Sequence, residues 1–452
     1  MKLVVERSGA LRGRASVPGD KSIGHRTLIF GALARGQSTV RGFSGGEDNR
    51  ATLAAFREMG VRIEEAGDEV RIDGVGLRGL RMAQRSLDCG NSGTTMRLLA
   101  GLLVGQRFGT RLVGDASLSK RPMKRIVSPL RARGAHIAGC QLGTPARAEE
   151  EAECFAPLSI APLVEGEHLA GIEYDMPVAS AQVKSSLLLS GLYASGPTVL
   201  QEPTLSRDHT ERMMLALGCP LETVGSAVVL DPTQDWAGGW DGFDWDIPGD
   251  VSGAAFLLVA GLAIPGSEVI IEGVGVNPTR TGMLDLLRLM RANVQQVPKA
   301  DGAGGEPIAD LYVSGEGVVG SLVGGEMLVR MIDEVPALCA LAASARGTTE
   351  IRDAAELRVK ESDRIAVMSK VLNAFGVPVE ELPDGMIIQG GHPLHGATVD
   401  SEGDHRIAMA AAILGMQAEG TTIVENADCI ATSFPGFDEV FRKLGATIEF
   451  SD

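Results

Sequence analysis

Eight cations in this chain recur at two kinds of place. Lys21, Arg26, Arg97 and Arg406 stand in or just after small-polar or acidic clusters that open Ala/Leu-rich apolar stretches. Arg121, Arg207, Lys360 and Arg364 stand in the connections between such stretches. The chemistry that suits this pattern is anion binding. A helix start presents free N–H groups and a partial positive charge, which attract phosphate and carboxylate. Arginine adds a planar fork that grips either group through two hydrogen bonds. A surface Arg or Lys taken singly needs no such role. Cations at equivalent points of repeated units are expected to converge, and helix starts aimed at one centre would make an anion pocket between two domains.

The elements that must position these cations repeat six times. The openings are Gly19-Asp20-Lys21-Ser22, Gly90-Asn91-Ser92-Gly93-Thr94, Ala179-Ser180-Ala181-Gln182, Gly249-Asp250-Val251-Ser252, Asp333-Glu334-Val335-Pro336 and Asp404-His405-Arg406. Most copies close on a Gly and a strand-like ending, as in Met59-Gly60-Val61-Arg62-Ile63 and Leu444-Gly445-Ala446-Thr447-Ile448. A period of roughly 70–85 residues exceeds the ~20–50 of a solenoid repeat, so each copy is a small α/β subdomain. Copy one reads strand, helix, strand, helix, strand, strand. Arg14-Ala15-Ser16-Val17 is its first strand, and residues 23–33 are an apolar helix stopped by Gly36. Asp48 caps a second helix, and residues 61–63 and 69–72 form a hairpin. Three low-complexity stretches, 144–153, 234–242 and 300–306, read as solvated loops.

Composition narrows the function. A chain of 452 residues predicts two or three domains. The formal net charge of −16 disfavours nucleic-acid binding, which needs a basic face, but a local cluster of cations can still take small anions. No apolar run reaches the ~18 residues of a membrane span. The first residues alternate like a strand, not like a signal peptide. Six scattered cysteines without a CxxC read as free thiols in a reducing compartment, and neither they nor the histidines show metal-ligand spacing.

Five segments then resemble one family in order. They are Pro18-Gly19-Asp20-Lys21-Ser22-Ile23-Gly24-His25-Arg26, Leu87-Asp88-Cys89-Gly90-Asn91-Ser92-Gly93-Thr94-Thr95-Met96-Arg97, Lys120-Arg121-Pro122-Met123, Leu357-Arg358-Val359-Lys360-Glu361-Ser362-Asp363-Arg364 and Asp404-His405-Arg406-Ile407-Ala408-Met409. The chain resembles the 5-enolpyruvylshikimate-3-phosphate (EPSP) synthase family, the enolpyruvyl transferases of the shikimate pathway, over essentially its whole length. The resemblance implies an α/β fold of two domains, each of three repeated βαβαββ units, an inside-out barrel. Residues 20–247 would hold copies one to three, and residues 1–19 with 248–452 would hold copies four to six. The crossings would fall near Gly19-Asp20 and Pro248-Gly249, with ligands in the cleft.

It also implies a reaction. The enolpyruvyl group of phosphoenolpyruvate passes to the 5-hydroxyl of shikimate 3-phosphate and phosphate leaves, by addition and then elimination, in aromatic amino acid biosynthesis. No metal or other cofactor is demanded. By position in the motifs, Lys21, Arg121, Arg364 and Arg406 grip phosphoenolpyruvate. Ser22, Arg26, Ser180, Ala181, Gln182, Ser206, Arg207, Asp333 and Lys360 hold shikimate 3-phosphate. Glu361 protonates the methylene carbon, Asp333 takes the 5-hydroxyl proton, and Lys21 shares the proton traffic. Read without the resemblance, Glu361 is an i, i+3 ion pair with Arg364, worth a few tenths of a kcal/mol. Gly93 leaves room beside phosphoenolpyruvate and for glyphosate, an inhibitor of the family. His25 and His405 are expected to pack at helix starts. The expected partners are the two small-molecule substrates, with no nucleic acid and no membrane, for a cytoplasmic monomer.

The chain departs from the family pattern at three points. Thr432 stands where some members carry Lys, Leu98 follows Arg97 in place of Pro, and an Asn is replaced near Glu356. The alternative reading is the sister transferase that acts on UDP-N-acetylglucosamine. Its reactive Cys is missing from residues 114–120, and Lys21-Ser22 with Ser180-Ala181-Gln182 favours the shikimate enzyme. A non-catalytic repeat scaffold would explain six copies, but not why Lys, Glu, Asp and Arg match the family at points in different copies.

Overall fold

The computed structural model describes residues 1–141, 152–234 and 236–451. They form two compact units. One comprises residues 1–20, 248–301 and 306–452; the other comprises 21–247 and 302–305.

Each of the six openings starts a central helix. These are α1 (Lys21–Leu33), α2 (Gly93–Leu103), α3 (Ala181–Gly191), α4 (Val251–Ala263), α5 (Val335–Ser344) and α6 (His405–Gln417). The starts are coded locally. Ser92, Ser180, Asp250 and Asp404 turn their side chains onto the free N–H groups of the first turn, and Pro336 sits in the first turn of α5. Buried residues run without a break from Ile23 to Leu33 in α1 and from His405 to Met416 in α6. A helix apolar all round must lie inside the core. In the unit at 21–247, α2 and α3 pack so closely that a Cβ on Gly101 would stand 2.1 Å from the Ser186 carbonyl oxygen. Only glycine fits there.

Six four-stranded sheets surround these helices, all in one order. The first strand runs parallel to the second, and the remaining pairings are antiparallel. Leu87–Asp88, Thr110–Val113, Cys154–Ile160 and Ile137–Gln141 show it. The parallel pair requires a crossover, which the central helix supplies in copies two, three, five and six. A second, outer helix follows, such as Glu47–Glu58 or Arg364–Ala374, and a hairpin closes the unit.

Three sheets borrow a strand from elsewhere in the chain. Arg12–Ser16, expected as the first strand of copy one, runs parallel to Glu268–Gly275 in the sheet of copy four. Copy one takes Asp244–Asp246 instead, parallel to Arg35–Arg41. Lys2–Val5 stands between Thr422–Glu425 and Ile448–Ser451 in the sheet of copy six.

Two stretches expected as solvated loops carry buried anchors. Within 234–242, the Trp240 indole lies edge-on to Phe30 and donates to its carbonyl at 2.9 Å, while nearby Phe243 and Trp245 stack. Within 300–306, Ala303 and Gly304 are buried, and Gly304 abuts Met213 of the helix His209–Ala216. Of the 144–153 stretch, all but the last two residues lie outside the described ones. Among the described residues no helix is long and apolar enough to cross a membrane.

Candidate active site

In the unit at 306–452, one turn gathers most of the singled-out residues. Asp333 lies in the short turn Ile332–Glu334 that leads into α5. Its carboxylate faces Lys360 Nζ at 3.5 Å, Arg364 Nη1 at 3.4 Å and Arg406 Nη2 at 3.9 Å. Arg406 also donates to the Asp333 carbonyl at 2.8 Å. Glu361 accepts from Arg364 Nη2 at 2.7 Å, so the expected i, i+3 contact is present, although Glu361 precedes the helix Arg364–Ala374 instead of lying on it. The anchor is Asp404, fully buried, which accepts from Arg364 Nε at 2.8 Å and caps α6 through Arg406 N–H at 2.9 Å. Burial opposes the Asp404 charge, yet the Arg364 guanidinium overrules it and holds the carboxyl below its usual range. Three cations, Lys360, Arg364 and Arg406, thus face three carboxylates, Asp333, Glu361 and Asp404.

In the unit at 21–247, a second group forms where α2 and α3 begin. Gln182 donates to Thr94 Oγ1 at 2.9 Å and accepts from Arg97 Nη1 at 2.7 Å, which ties the two helix starts together. Arg121 Nη2 donates to Asn91 Oδ1 at 2.5 Å. A Cβ on Gly93 would stand 2.7 Å from Arg97 Nη1 and 3.4 Å from Arg121 Nη1, so both guanidinium groups flank this glycine. Ser180 caps α3, and Ala181 is its first residue.

Lys21, the first residue of α1, donates to Asp48 at 2.9 Å. Asp48 was expected as the cap of the helix Glu47–Glu58; Gly46 holds that position, and the carboxylate serves Lys21 instead. Ser22 is half-buried beside it. His25 is buried and bonded to Thr52 Oγ1 at 2.7 Å. Burial, aided by Lys21 and Arg26, holds its pKa well below the ordinary value, so the ring stays neutral.

Arg26 reaches α3 one turn beyond Gln182. Buried, it donates to Thr210 Oγ1, Ser185 Oγ and the Ser22 carbonyl. Ser206 is buried near this point and bonded to Glu202, with Arg207 next in the chain. Asp48, Asn91, Thr94 and Asp404 are the neighbours that sequence reasoning missed as site residues. Their only signal was their place in or near the helix openings.

Six α/β units of one plan, with bonded clusters of Arg, Lys and carboxylates at or near several of their helix starts, define the class of fold. Solved structures of EPSP synthase from Acinetobacter baumannii share it, with a TM-score of 0.85, 43% and 42% identity and coverage of 100% of each chain. Residues 5–441 match the family model for EPSP synthase (3-phosphoshikimate 1-carboxyvinyltransferase). The chain is 51% identical over 435 residues to the 3-phosphoshikimate 1-carboxyvinyltransferase of Geobacter sulfurreducens, covering 96% of this chain and 97% of the other. It is 49% identical over 442 residues to that of Syntrophotalea carbinolica, covering 98% of each. The chain belongs to the EPSP synthase family.

Proposed function

We propose that this chain transfers the enolpyruvyl group of phosphoenolpyruvate to the 5-hydroxyl of shikimate 3-phosphate and releases phosphate. The observation that carries the reading is the cluster of Lys360, Glu361, Arg364 and Arg406 around Asp333, in a chain about half identical to enzymes of that name. Lys21, Arg121, Arg364 and Arg406 hold phosphoenolpyruvate. Ser22, Arg26, Ser180, Ala181, Gln182, Ser206, Arg207 and Lys360 hold shikimate 3-phosphate. Glu361 then delivers a proton to the methylene carbon while Asp333 accepts the 5-hydroxyl proton. The new C–O bond forms at the adjacent carbon. Loss of a methyl proton and of phosphate restores the double bond. Lys21, held by Asp48, shares the proton traffic.

Both substrates are small molecules, and the reading carries a cytoplasmic location and a monomer. The matched relatives favour the shikimate acceptor and remove the UDP-N-acetylglucosamine alternative. Phosphate release from phosphoenolpyruvate tests this. Turnover is expected with shikimate 3-phosphate and none with UDP-N-acetylglucosamine; the reverse outcome ends the reading.

Gly93 bears on inhibition. The methyl of Gly93→Ala displaces the Arg97 fork and crowds Arg121, a cost of ~1–3 kcal/mol by analogy with overpacking. Glyphosate, longer than phosphoenolpyruvate, meets the displaced groups first. The wild type is expected to be inhibited in competition with phosphoenolpyruvate. Gly93→Ala is expected to weaken inhibition by roughly tenfold to a hundredfold, with a much smaller loss of turnover. Equal losses of both would refute the steric account.

A further inference from the structure

Three charged side chains in the unit at 21–247 are almost fully buried and have no part in the reaction as described. Lys184 lies on α3 shortly after Gln182, Glu202 follows the strand Thr198–Gln201, and Glu211 lies on the helix His209–Ala216. Their side chains are 1%, 0% and 3% exposed. Lys184 Nζ lies 2.6 Å from a carboxylate oxygen of each glutamate. Burial opposes the Lys184 charge and the two carboxylates outweigh it, so its pKa is raised. Glu211 has one oxygen with no hydrogen-bond partner among the described residues, and burial pushes its carboxyl up.

A buried cluster of one cation and two carboxylates is a weak device for stability, because hydrophobic residues of the same volume serve as well or better. What it does here is local. Glu202 accepts from the Ser206 hydroxyl and from the Ser206 N–H at 3.3 Å, and Lys184 Nζ donates to the Ser206 carbonyl at 3.4 Å. Every polar atom of Ser206 is thereby fastened to the buried pair. Arg207 is the next residue. Its backbone starts from a point that Glu202 and Lys184 have fixed.

We propose that Glu202, held by Lys184, is a positioning residue that aims the Ser206-Arg207 segment at the phosphate of shikimate 3-phosphate. The proposal rests on the reading above for the identity of that ligand. Glutamine at 202 keeps the volume, and with its oxygen toward Lys184 and Ser206 N–H and its amide donating to Ser206 Oγ it can keep the partners, but it removes the negative charge that strengthens these bonds and balances Lys184. Weakening of these charge-assisted bonds corresponds to roughly a tenfold to hundredfold change in affinity.

The test uses the full chain, with calorimetric binding of shikimate 3-phosphate, steady-state kinetics and thermal unfolding. Glu202→Gln is expected to raise Kd and KM for shikimate 3-phosphate by roughly tenfold to a hundredfold, with KM for phosphoenolpyruvate and kcat little changed. Glu202→Asp, which keeps the charge opposite Lys184, stands in should the Gln variant fail to fold, with the same split expected from its shorter reach. In a double-mutant cycle, Glu202→Gln with Ser206→Ala is expected to lose no more affinity than the worse single variant. A folded Glu202 variant with unchanged affinity overturns the proposal, as does equal loss for both substrates or full additivity in the cycle. Failure of the wild type to bind shikimate 3-phosphate overturns the functional reading as well.

Discussion

Glu361→Gln is expected to lower kcat by ~10²–10⁴-fold, the range for loss of a positioned general acid, while the protein keeps its stability and its grip on both substrates. Glutamine has the same length, and its amide oxygen still accepts from Arg364, now at 2.7 Å from Glu361. Asp404 and Asp333 still oppose the Arg364 charge, so the guanidinium is not left unpaired. The structural cost is therefore small, and a large fall in rate would report the missing proton. Single-turnover kinetics with both substrates saturating isolates the chemical step. Near-normal turnover would return Glu361 to its ion-pair role.

Arg364→Met carries the largest expected effect on stability, about 3–5 kcal/mol, the cost of removing one partner from a buried charge pair. Arg364 and Asp404 are 1% and 0% exposed. Without the guanidinium, Asp404 keeps a buried charge beside Glu361 and Asp333. Urea unfolding measures the loss, and Asp404→Asn in the Arg364→Met background is expected to recover part of it. A loss below ~1 kcal/mol would place the pair with surface ion pairs. Acid tests the same bond. The Asp404 carboxyl is held below the ~3.9 of an unfolded Asp, so the folded chain keeps this contribution at neutral pH and loses it as pH falls below about 4. Asp404→Asn is expected to flatten stability against pH in that window.

What the sequence disclosed follows from how local each signal is. All six central helix starts were legible, because a small polar or acidic residue before an apolar run marks a helix start by itself. The strand at Arg12–Ser16 was legible as a strand but not as part of copy four. A strand's residue pattern does not name its partner, and here the partner begins at Glu268. Asp48 was misread because an acidic residue in a first turn looks alike whether it caps the helix or holds a lysine. The stretch 234–242 looked solvated because its glycines and charges outnumber Trp236 and Trp240. Lys360, Glu361, Arg364 and Arg406 were singled out through family-like motifs; their bonds to Asp333 and Asp404 arise only when distant helix starts meet. Glu202 and Lys184 carried no signal, since nothing in either segment points to the other.

The strand Lys2–Val5, lodged between Thr422–Glu425 and Ile448–Ser451, has a consequence for how the chain is made. On a ribosome adding about 5–20 residues each second, Leu3, Val4 and Val5 wait roughly 20–80 s before their first partner strand is even polymerised. The stretch 21–247 is complete much earlier and supplies nearly all of its unit, residues 302–305 excepted. It also carries all three tryptophans, Trp236, Trp240 and Trp245. Its folding is therefore visible in tryptophan fluorescence, to which the later unit contributes no tryptophan. During the interval the apolar strand has no partner to pair with, an exposed segment of the kind that chaperones cover, until the stretch near residue 450 is made.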